Sequence, residues 1–383
     1  MSLSRRKTLT LLGGGLVLAA AGGATVAITR NPDSALAPWT QAGGYDDPRL
    51  RALSHAILAP NPHNRQPWIA DVSTPDQVTI FADPDRLLPH TDPYSRQIVI
   101  GLGCFLELMQ MAAAEDGYAV SFNLFPEGSD PKVLDARPVA VARFTAQTGI
   151  NRDPLFAQVP HRRTLKDPFD TSRSVAPDLL TELIAQMRHG SMAGGTADPD
   201  QVAELRQLSH DALLVEIETP HTYRESVDLF RIGRAEVEAN PDGIDFSGPL
   251  FEAMHLAGLF TREAALDTSS SAYQQGLAAV LANTDTAMAH IWQVTPDNSR
   301  AAQIGVGRDW MRLNLATTAL GLGLQPLSQA LQEYPEMASH YADIHDRLAP
   351  DGGTVQMFAR LGYGASIGPS PRWPVESIVR HDT

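Results

Sequence analysis

The segment Ala59-Pro60-Asn61-Pro62-His63-Asn64-Arg65-Gln66-Pro67-Trp68 constrains this chain more than any other. Pro60, Pro62 and Pro67 lock their own backbone and remove three amide donors, so neither a helix nor a central strand can run through them. Asn61, Asn64 and Gln66 place short amide side chains between the prolines, where they favour turns. Ahead of the segment, Leu50, Leu53 and Ile57 recur at helical spacing and predict a helix over 50–58 that stops here. A helix closed by a stiff, amide-bearing turn presents polar groups in a fixed pose, which suits a ligand that is itself polar and planar.

The 383 residues, 43% of them hydrophobic, suffice for one large domain or two ordinary ones. Lys and Arg number 30 against 44 Asp and Glu, a net charge of -14. That balance argues against nucleic acid or an anionic membrane surface as the main partner, while leaving room for one local basic pocket. The single cysteine, Cys104, excludes an intrachain disulfide and a cysteine-based metal cluster. Within Gly101-Leu102-Gly103-Cys104-Phe105-Leu106 it reads as a buried structural thiol. No zinc-protease helix, nucleophile elbow or Walker-type loop is present, and no histidines sit at paired ligand spacing. Gly101-Leu102-Gly103 lacks the third glycine of a dinucleotide fingerprint and reads as helix packing.

The N-terminus reads as an address. Arg5-Arg6-Lys7 precedes an apolar run, residues 9–28, diluted by Gly13, Gly14, Gly15, Gly22 and Gly23. Paired arginines before such a run resemble a twin-arginine export signal, with Ala19-Ala20-Ala21 as an available cleavage site. The alternative is an uncleaved anchor, because roughly 20 apolar residues suffice to cross a bilayer. The expectation for residues 1–30 is therefore signal or anchor, and the expected location is exported, periplasmic. Twin-arginine machinery carries folded chains, often with a cofactor already bound.

Residues 31–45 read as a linker. Periodicity then predicts a strand at 77–81, a helix over 96–116 ending at Gly117, and strands at 118–125 and 138–144. After a loop at 145–160 a second cycle begins. Helices are expected at 177–188, 222–238, 272–294 and 300–323, with a late strand at 354–362. The irregular stretch 240–268 reads either as a lid over a site or as a small helical insertion packed on the core. Similar element order in 46–158 and 159–383 suggests two halves fused as a pseudo-dimer.

Three further segments carry potential chemistry. His161-Arg162-Arg163-Thr164-Leu165-Lys166 is a basic cluster in an acidic protein; if extended, it points Arg162, Thr164 and Lys166 one way as a phosphate clamp. The bland reading is a solvated charged loop. Gly321-Leu322-Gly323-Leu324-Gln325-Pro326-Leu327 ends a helix and offers donors and an amide. Gly368-Pro369-Ser370-Pro371-Arg372-Trp373-Pro374 presents Arg372 on a stiff tail, or merely covers a sheet edge.

In this order the segments resemble the FMN-dependent nitroreductase superfamily, and more closely its Acg-type branch, over roughly residues 45–380. The turn is similar to the family's Pro-Ser-Ser-x-Asn-x-Gln-Pro-Trp signature. Arg162 to Lys166 resembles its Arg-x-Ser/Thr-x-Lys/Arg motif, and Arg372 its C-terminal phosphate-binding residue. The resemblance implies an α+β fold, a mixed sheet flanked by helices and duplicated within one chain, with one composite FMN site. It implies that Arg162, Thr164 and Arg372 hold the phosphate and that Lys166 sits by the flavin edge, where a cation stabilises the reduced ring. Pro60, Asn61, Asn64 and Gln66 line the flavin from the first half, and Gln325, Pro326 and Leu327 face its far edge. No side-chain nucleophile and no metal are expected. The implied activity is transfer of hydride or electrons to a nitro, quinone or similar conjugated small-molecule acceptor, and a fused pseudo-dimer is compatible with a monomer. The alternatives are a flavin-sequestering protein without turnover and a flavin-free exported scaffold. The departures are Asn61-Pro62, where the family has two serines and Pro62 loses a donor, and Thr164-Leu165-Lys166, where the Acg-type motif often runs Thr-Asn-Arg.

Overall fold

The computed structural model describes residues 31–380, so the expected export signal at 1–30 lies outside the described residues. The chain builds one mixed and one antiparallel sheet around one helix pair. In the first half, α1 (Pro48–Ala56) starts on Asp47, whose carboxylate accepts the Arg49 N–H at 2.8 Å, with Pro48 at the first helical position. Then come β1 (Trp68–Asp71), β2 (Gln77–Ala82), α2 (Arg96–Glu115), β3 (Tyr118–Leu124) and β4 (Ala140–Ala146). β2 buries Val78, Ile80 and Ala82 on one face, the period of a half-buried strand.

In the second half, α3 (Pro177–Ile184), β5 (Met192–Thr196), β8 (Ala289–Thr295), α4 (Arg300–Ala319), β9 (Gly323–Pro326) and β10 (Thr354–Gly362) follow in the same succession. The sheet orders correspond: β1-β2-β4-β3 in one, β5-β8-β10-β9 in the other. The last strand, β11 (Val379–Arg380), returns to pair parallel with β1, so the C-terminus completes the first sheet. The halves differ mainly between β5 and β8. There the chain inserts helices Pro199–Glu218, Pro220–Asp228, Gly233–Ala239, Pro249–Leu256, Arg262–Leu266 and Ser271–Thr284, with the small ribbon β6 (Phe230–Ile232) and β7 (Ile244–Phe246).

The helices α2 and α4 cross at Gly103 and Gly307. A Cβ on either glycine would overlap the backbone of the other helix, so only glycine permits this approach. Cys104 is buried beside the crossing and its thiol donates to the Gly307 carbonyl at 3.1 Å; burial pushes its pKa far up, which leaves it inert. The crossing also exposes a sequence echo. Ser95-Arg96-Gln97-Ile98-Val99-Ile100-Gly101-Leu102-Gly103 corresponds to Ser299-Arg300-Ala301-Ala302-Gln303-Ile304-Gly305-Val306-Gly307.

Several elements differ from expectation. The helix expected over 272–294 ends at Thr284, and Ala289–Thr295 is a strand. That strand lies between β5 and β10 and buries nearly every residue, so it shows no alternation to distinguish it from a helix. The helix expected over 222–238 is split by β6, with Gly233 at φ 79°. The 240–268 excursion holds β7 and two short helices. The expected linker, 31–45, instead forms two helical turns, Asp33–Leu36 and Pro38–Gln41, with Trp39 buried.

Candidate functional site

The turn after α1 is built as the prolines require. Pro62–Asn64 makes one 3-10 turn, and His63, Asn64 and Gln66 adopt left-handed backbone at φ 48°, 52° and 50°. Asn61 closes the turn: its Oδ1 accepts the Gln66 N–H at 2.7 Å. Gln66 is buried, donating Nε2–H to the Pro241 carbonyl at 2.7 Å and accepting the Trp373 N–H at 2.9 Å. Asn64 accepts from Arg372 Nη1 at 2.7 Å, donates to the Pro371 carbonyl at 3.1 Å, and accepts the Gly243 N–H on its own carbonyl at 3.2 Å. These three amides were expected to line a cofactor. Asn61 bonds within the turn, while Asn64 and Gln66 tie it to the C-terminal tail and to the insertion. Pro60 remains partly exposed.

Three guanidiniums gather beneath the turn. Arg162, Arg163 and Arg372 lie 5.8, 4.8 and 5.4 Å from the centre of the Trp39 ring. Trp39 is itself fixed by donating to the Ser370 carbonyl at 2.8 Å. Among the described residues no carboxylate pairs with any of the three. Arg372 donates Nε–H to the Ile57 carbonyl at 2.8 Å and Nη2–H to Leu58 and Ala59, capping the end of α1. Arg162 donates Nη2–H to Leu58 at 3.2 Å, while its buried Nη1 and the Nε of Arg163 have no hydrogen-bond partner. Burial, reinforced by Arg163, lowers the Arg162 pKa to about 10. Burial, then Arg162 and Arg163, push that of Arg372 well below its ordinary value. Crowded cations with unspent buried donors form a receptor for an anion. Of the expected pair, Arg372 donates to carbonyls and to Asn64, whereas Arg162 and Arg163 keep buried donors without a partner among the described residues.

The 162–167 segment is held against the second sheet. Leu165 donates its N–H to the Leu324 carbonyl at 3.0 Å, and the buried Arg360 donates to the carbonyls of Lys166 and Asp167, both at 2.9 Å. Arg360 also donates Nε–H to Gln325 Oε1 at 2.6 Å, so the Gln325 side chain supports the segment. Thr164 is partly exposed; Lys166 reaches solvent, yet protein atoms crowd its ammonium and lower its pKa, an effect Asp245 on β7 partly offsets. Opposite, burial and then Lys166 and Arg65 push His63 down to about 4, with its Nδ1 unpartnered. Lys166 thus lies within electrostatic range of both His63 and Asp245 on β7. Pro326 pairs with Ala359 in the sheet. Leu327 departs from expectation, because it packs in a separate apolar cluster with Leu331, Ile344 and Phe358.

Sequence reading missed Trp39, Arg163, His63 and Asp242. Asp242 is buried among Arg86 at 2.9 Å, Arg231 at 2.7 Å and Arg65 at 3.8 Å, and receives the Trp373 indole N–H at 3.4 Å. The signal for Trp39 was present in Pro38-Trp39, a tryptophan just after a helix-starting proline. A surface depression of about 530 Å³ lined by Ala114, Gly117, Gln147 and Arg152 contains none of these residues.

With the geometry in place, the chain can be compared with known proteins. The Mycobacterium tuberculosis protein Rv3131, which carries the provisional name NAD(P)H nitroreductase, is 26% identical over 346 residues, 85% of this chain and 89% of that protein. By sequence, the chain is similar to proteins that carry nitroreductase names. The provisionally named NAD(P)H nitroreductase acg, from the same organism, is 35% identical over 98 residues, covering 25% of this chain and 29% of its own. Rv3127, uncharacterised, is 22% identical over 339 residues, 86% and 92% of the two chains. No family model matches the sequence. Among solved structures, the FMN-dependent nitroreductase NfnB of Mycobacterium smegmatis superimposes with a TM-score of 0.36 at 17% identity, over 58% of this chain and 95% of that one. Superpositions of this quality fix no residue of the site.

Proposed function

We propose that this chain is an exported FMN-dependent oxidoreductase of nitroreductase type, acting on a nitro, quinone or similar conjugated acceptor as a monomer with one flavin. The observation that carries the reading is the carboxylate-free arginine cluster with unspent donors on Arg162 and Arg163, set between the proline-amide turn and Lys166. A phosphate monoester fits those donors in charge and in hydrogen bonding. Bound FMN supplies reversible hydride chemistry that no side chain here can supply. Arg162 Nη1 and Arg163 hold the phosphate, and Arg372 adds charge while fixing the α1 end. Lys166 places a cation in the cleft, where it stabilises negative charge on a bound ring. His63 stays neutral at physiological pH and offers a neutral hydrogen-bonding group opposite it. The Arg5-Arg6 signal supports export of a folded, loaded protein through the twin-arginine machinery.

A second reading is flavin sequestration without turnover. The insertion favours it, because Gln66, Asn64 and Asp242 bind its base directly to the turn.

Purification of the full chain tests the reading. The expected preparation is yellow, holds one FMN per chain, and is bleached by a reductant and reoxidised by a nitroaromatic or quinone. A flavin that resists reduction and reoxidation selects sequestration; a colourless protein that takes up no FMN removes both. Arg162→Ala is expected to weaken FMN binding by about tenfold or more, the scale of one lost charged hydrogen bond. Unchanged retention in a titration would count against the anion site. Arg5→Lys with Arg6→Lys is expected to keep the protein in the cytoplasm, as fractionation would show.

A further inference from the structure

The duplicated fold gives the turn a counterpart in the second half. α1 ends at Ala56 and β1 starts at Trp68, so the connecting loop has eleven residues, 57–67; α3 ends at Ile184 and β5 starts at Met192, leaving seven, 185–191. The helix crossing fixes the correspondence. The atoms nearest a Cβ placed on Gly101 belong to Asn61 and Pro62; on its counterpart Gly305, they belong to His189. The carbonyls correspond as well. Leu58, two residues past α1, accepts from Arg162 and Arg372, and Gln186, two residues past α3, accepts Nε–H of Arg312 at 2.8 Å.

In the second half the loop is wrapped around a carboxylate. Asp309 on α4 is fully buried and accepts four hydrogen bonds from it. The N–H groups of Arg188 and His189 donate to Oδ1 at 2.6 and 2.9 Å, and the N–H and hydroxyl of Ser191 donate to Oδ2 at 3.3 and 2.7 Å. Gly190, at φ 90°, lets the backbone turn so that its neighbours' N–H groups converge. Successive amides around one point form a nest for an oxyanion. Beside it, Glu107 from the first half takes Arg308 at 2.8 Å, Arg312 at 3.2 Å and His189 at 3.1 Å. Asp153, also from the first half, takes Arg312 at 2.7 Å. Among the described residues the first-half arginine cluster has no acid, whereas Arg308 and Arg312 pair with two acids from the first half. The sequence difference is local: the position of Asp309 in the α2 echo is Phe105, which packs on Trp68 with ring centres 4.9 Å apart.

We infer that loop 185–191 is an oxyanion-binding nest whose resident ligand is the chain's own Asp309 carboxylate, so that the second of the two pseudo-symmetric positions is permanently closed to a small-molecule anion. The inference concerns the site opposite the proposed flavin cleft and does not depend on FMN being bound there. It makes the nest a receptor for a small carboxylate or inorganic oxyanion once the Asp309 side chain is removed.

Chemical rescue of the full-length protein tests it. In Asp309→Ala, Tm is expected to fall by about 5 °C or more, and to recover in a saturable way with sodium formate or inorganic phosphate. Sodium chloride at matched ionic strength should not restore it, and the gain in Asp309→Ala should exceed that of the wild-type protein, whose Arg162 and Arg163 can also receive an anion. A Tm in Asp309→Ala that formate and phosphate raise no more than chloride does overturns the inference. So does an equal rise in the wild-type protein, which would mark a general salt effect. Asp309→Asn keeps the volume without the charge and covers the case in which the alanine variant does not fold. It is expected to fold with lowered Tm and to gain nothing from formate; a wild-type Tm there also overturns the inference. Flavin content is recorded alongside and is expected to be unchanged, which separates this outcome from any failure of the flavin reading.

Discussion

Arg162, Arg163 and Arg372 share one aromatic ring but not one job. Arg372 spends its donors on the carbonyls of Ile57, Leu58 and Ala59, of Pro371, and on the Asn64 amide. Arg372→Ala should therefore cost stability, about 1–3 kcal/mol in urea unfolding, even in protein stripped of ligand. Arg162→Ala should act chiefly on ligand affinity. Away from the cleft, Glu216 is buried, and burial raises its pKa to about 7 although Gln332 donates to it at 2.6 Å. The native state then holds a proton that the unfolded chain releases near its ordinary 4.5. Stability from this group is full below that value and is lost as pH rises through about 7. Glu216→Gln should flatten that loss, so the variant gains on the wild type between pH 5 and 8 by on the order of 2 kcal/mol in pH-dependent urea unfolding. At this scale the sequence was legible where chemistry is coded by residue type, as in the basic cluster. It was less decisive where one amide can serve either a ligand or the backbone: Asn61, Asn64 and Gln66 are good turn-formers, and each makes hydrogen bonds within the protein.

Among the elements, the glycine crossing of α2 and α4 holds the two halves together. Gly307→Ala should be destabilised by overpacking, by about 1–3 kcal/mol or more, because the added methyl meets the Ile100 carbonyl. Gly276, in helix Ser271–Thr284, has open space around its Cβ position. Gly276→Ala should gain about 0.5–1 kcal/mol from helix propensity alone. Urea curves for the pair check the assignment, and equal effects would contradict it. The bounds of β2, α2 and β10 lie within a residue or so of expectation, β2 through its alternation and the other two although they are buried almost throughout. β8 was not legible, since its almost complete burial leaves it no period. The 199–218 helix was missed although Asp198 caps it through the Asp200 and Gln201 N–H groups and Pro199 starts it. Its signals lie at its end rather than along its weakly periodic body.

At the level of the whole molecule, four distant segments meet at one carboxylate. Asp242 at the base of the insertion binds Arg65 of the turn, Arg86 beyond β2, Arg231 on β6 and the indole of Trp373 on the tail. No local pattern could disclose such a hub, because its partners are separated by up to 308 positions, from Arg65 to Trp373 (373 minus 65). Its chemistry nonetheless sets how the insertion sits on the cleft. With the carboxylate neutralised, three guanidiniums remain crowded in a partly buried space, a loss of about 3–5 kcal/mol concentrated on this junction. Asp242→Asn should leave the glycine-locked core of α2 and α4 folded while the insertion's base detaches from the turn. Limited proteolysis should then cut within 240–268 at least about tenfold faster than in the wild type, with global unfolding affected less. Flavin, where bound, should dissociate faster in stopped-flow dilution, because Gln66 and Asn64 lose the Pro241 and Gly243 contacts along with the latch. Wild-type proteolysis rates in Asp242→Asn would show that the Gln66 and Asn64 bonds suffice and that the three arginines merely share a counter-ion.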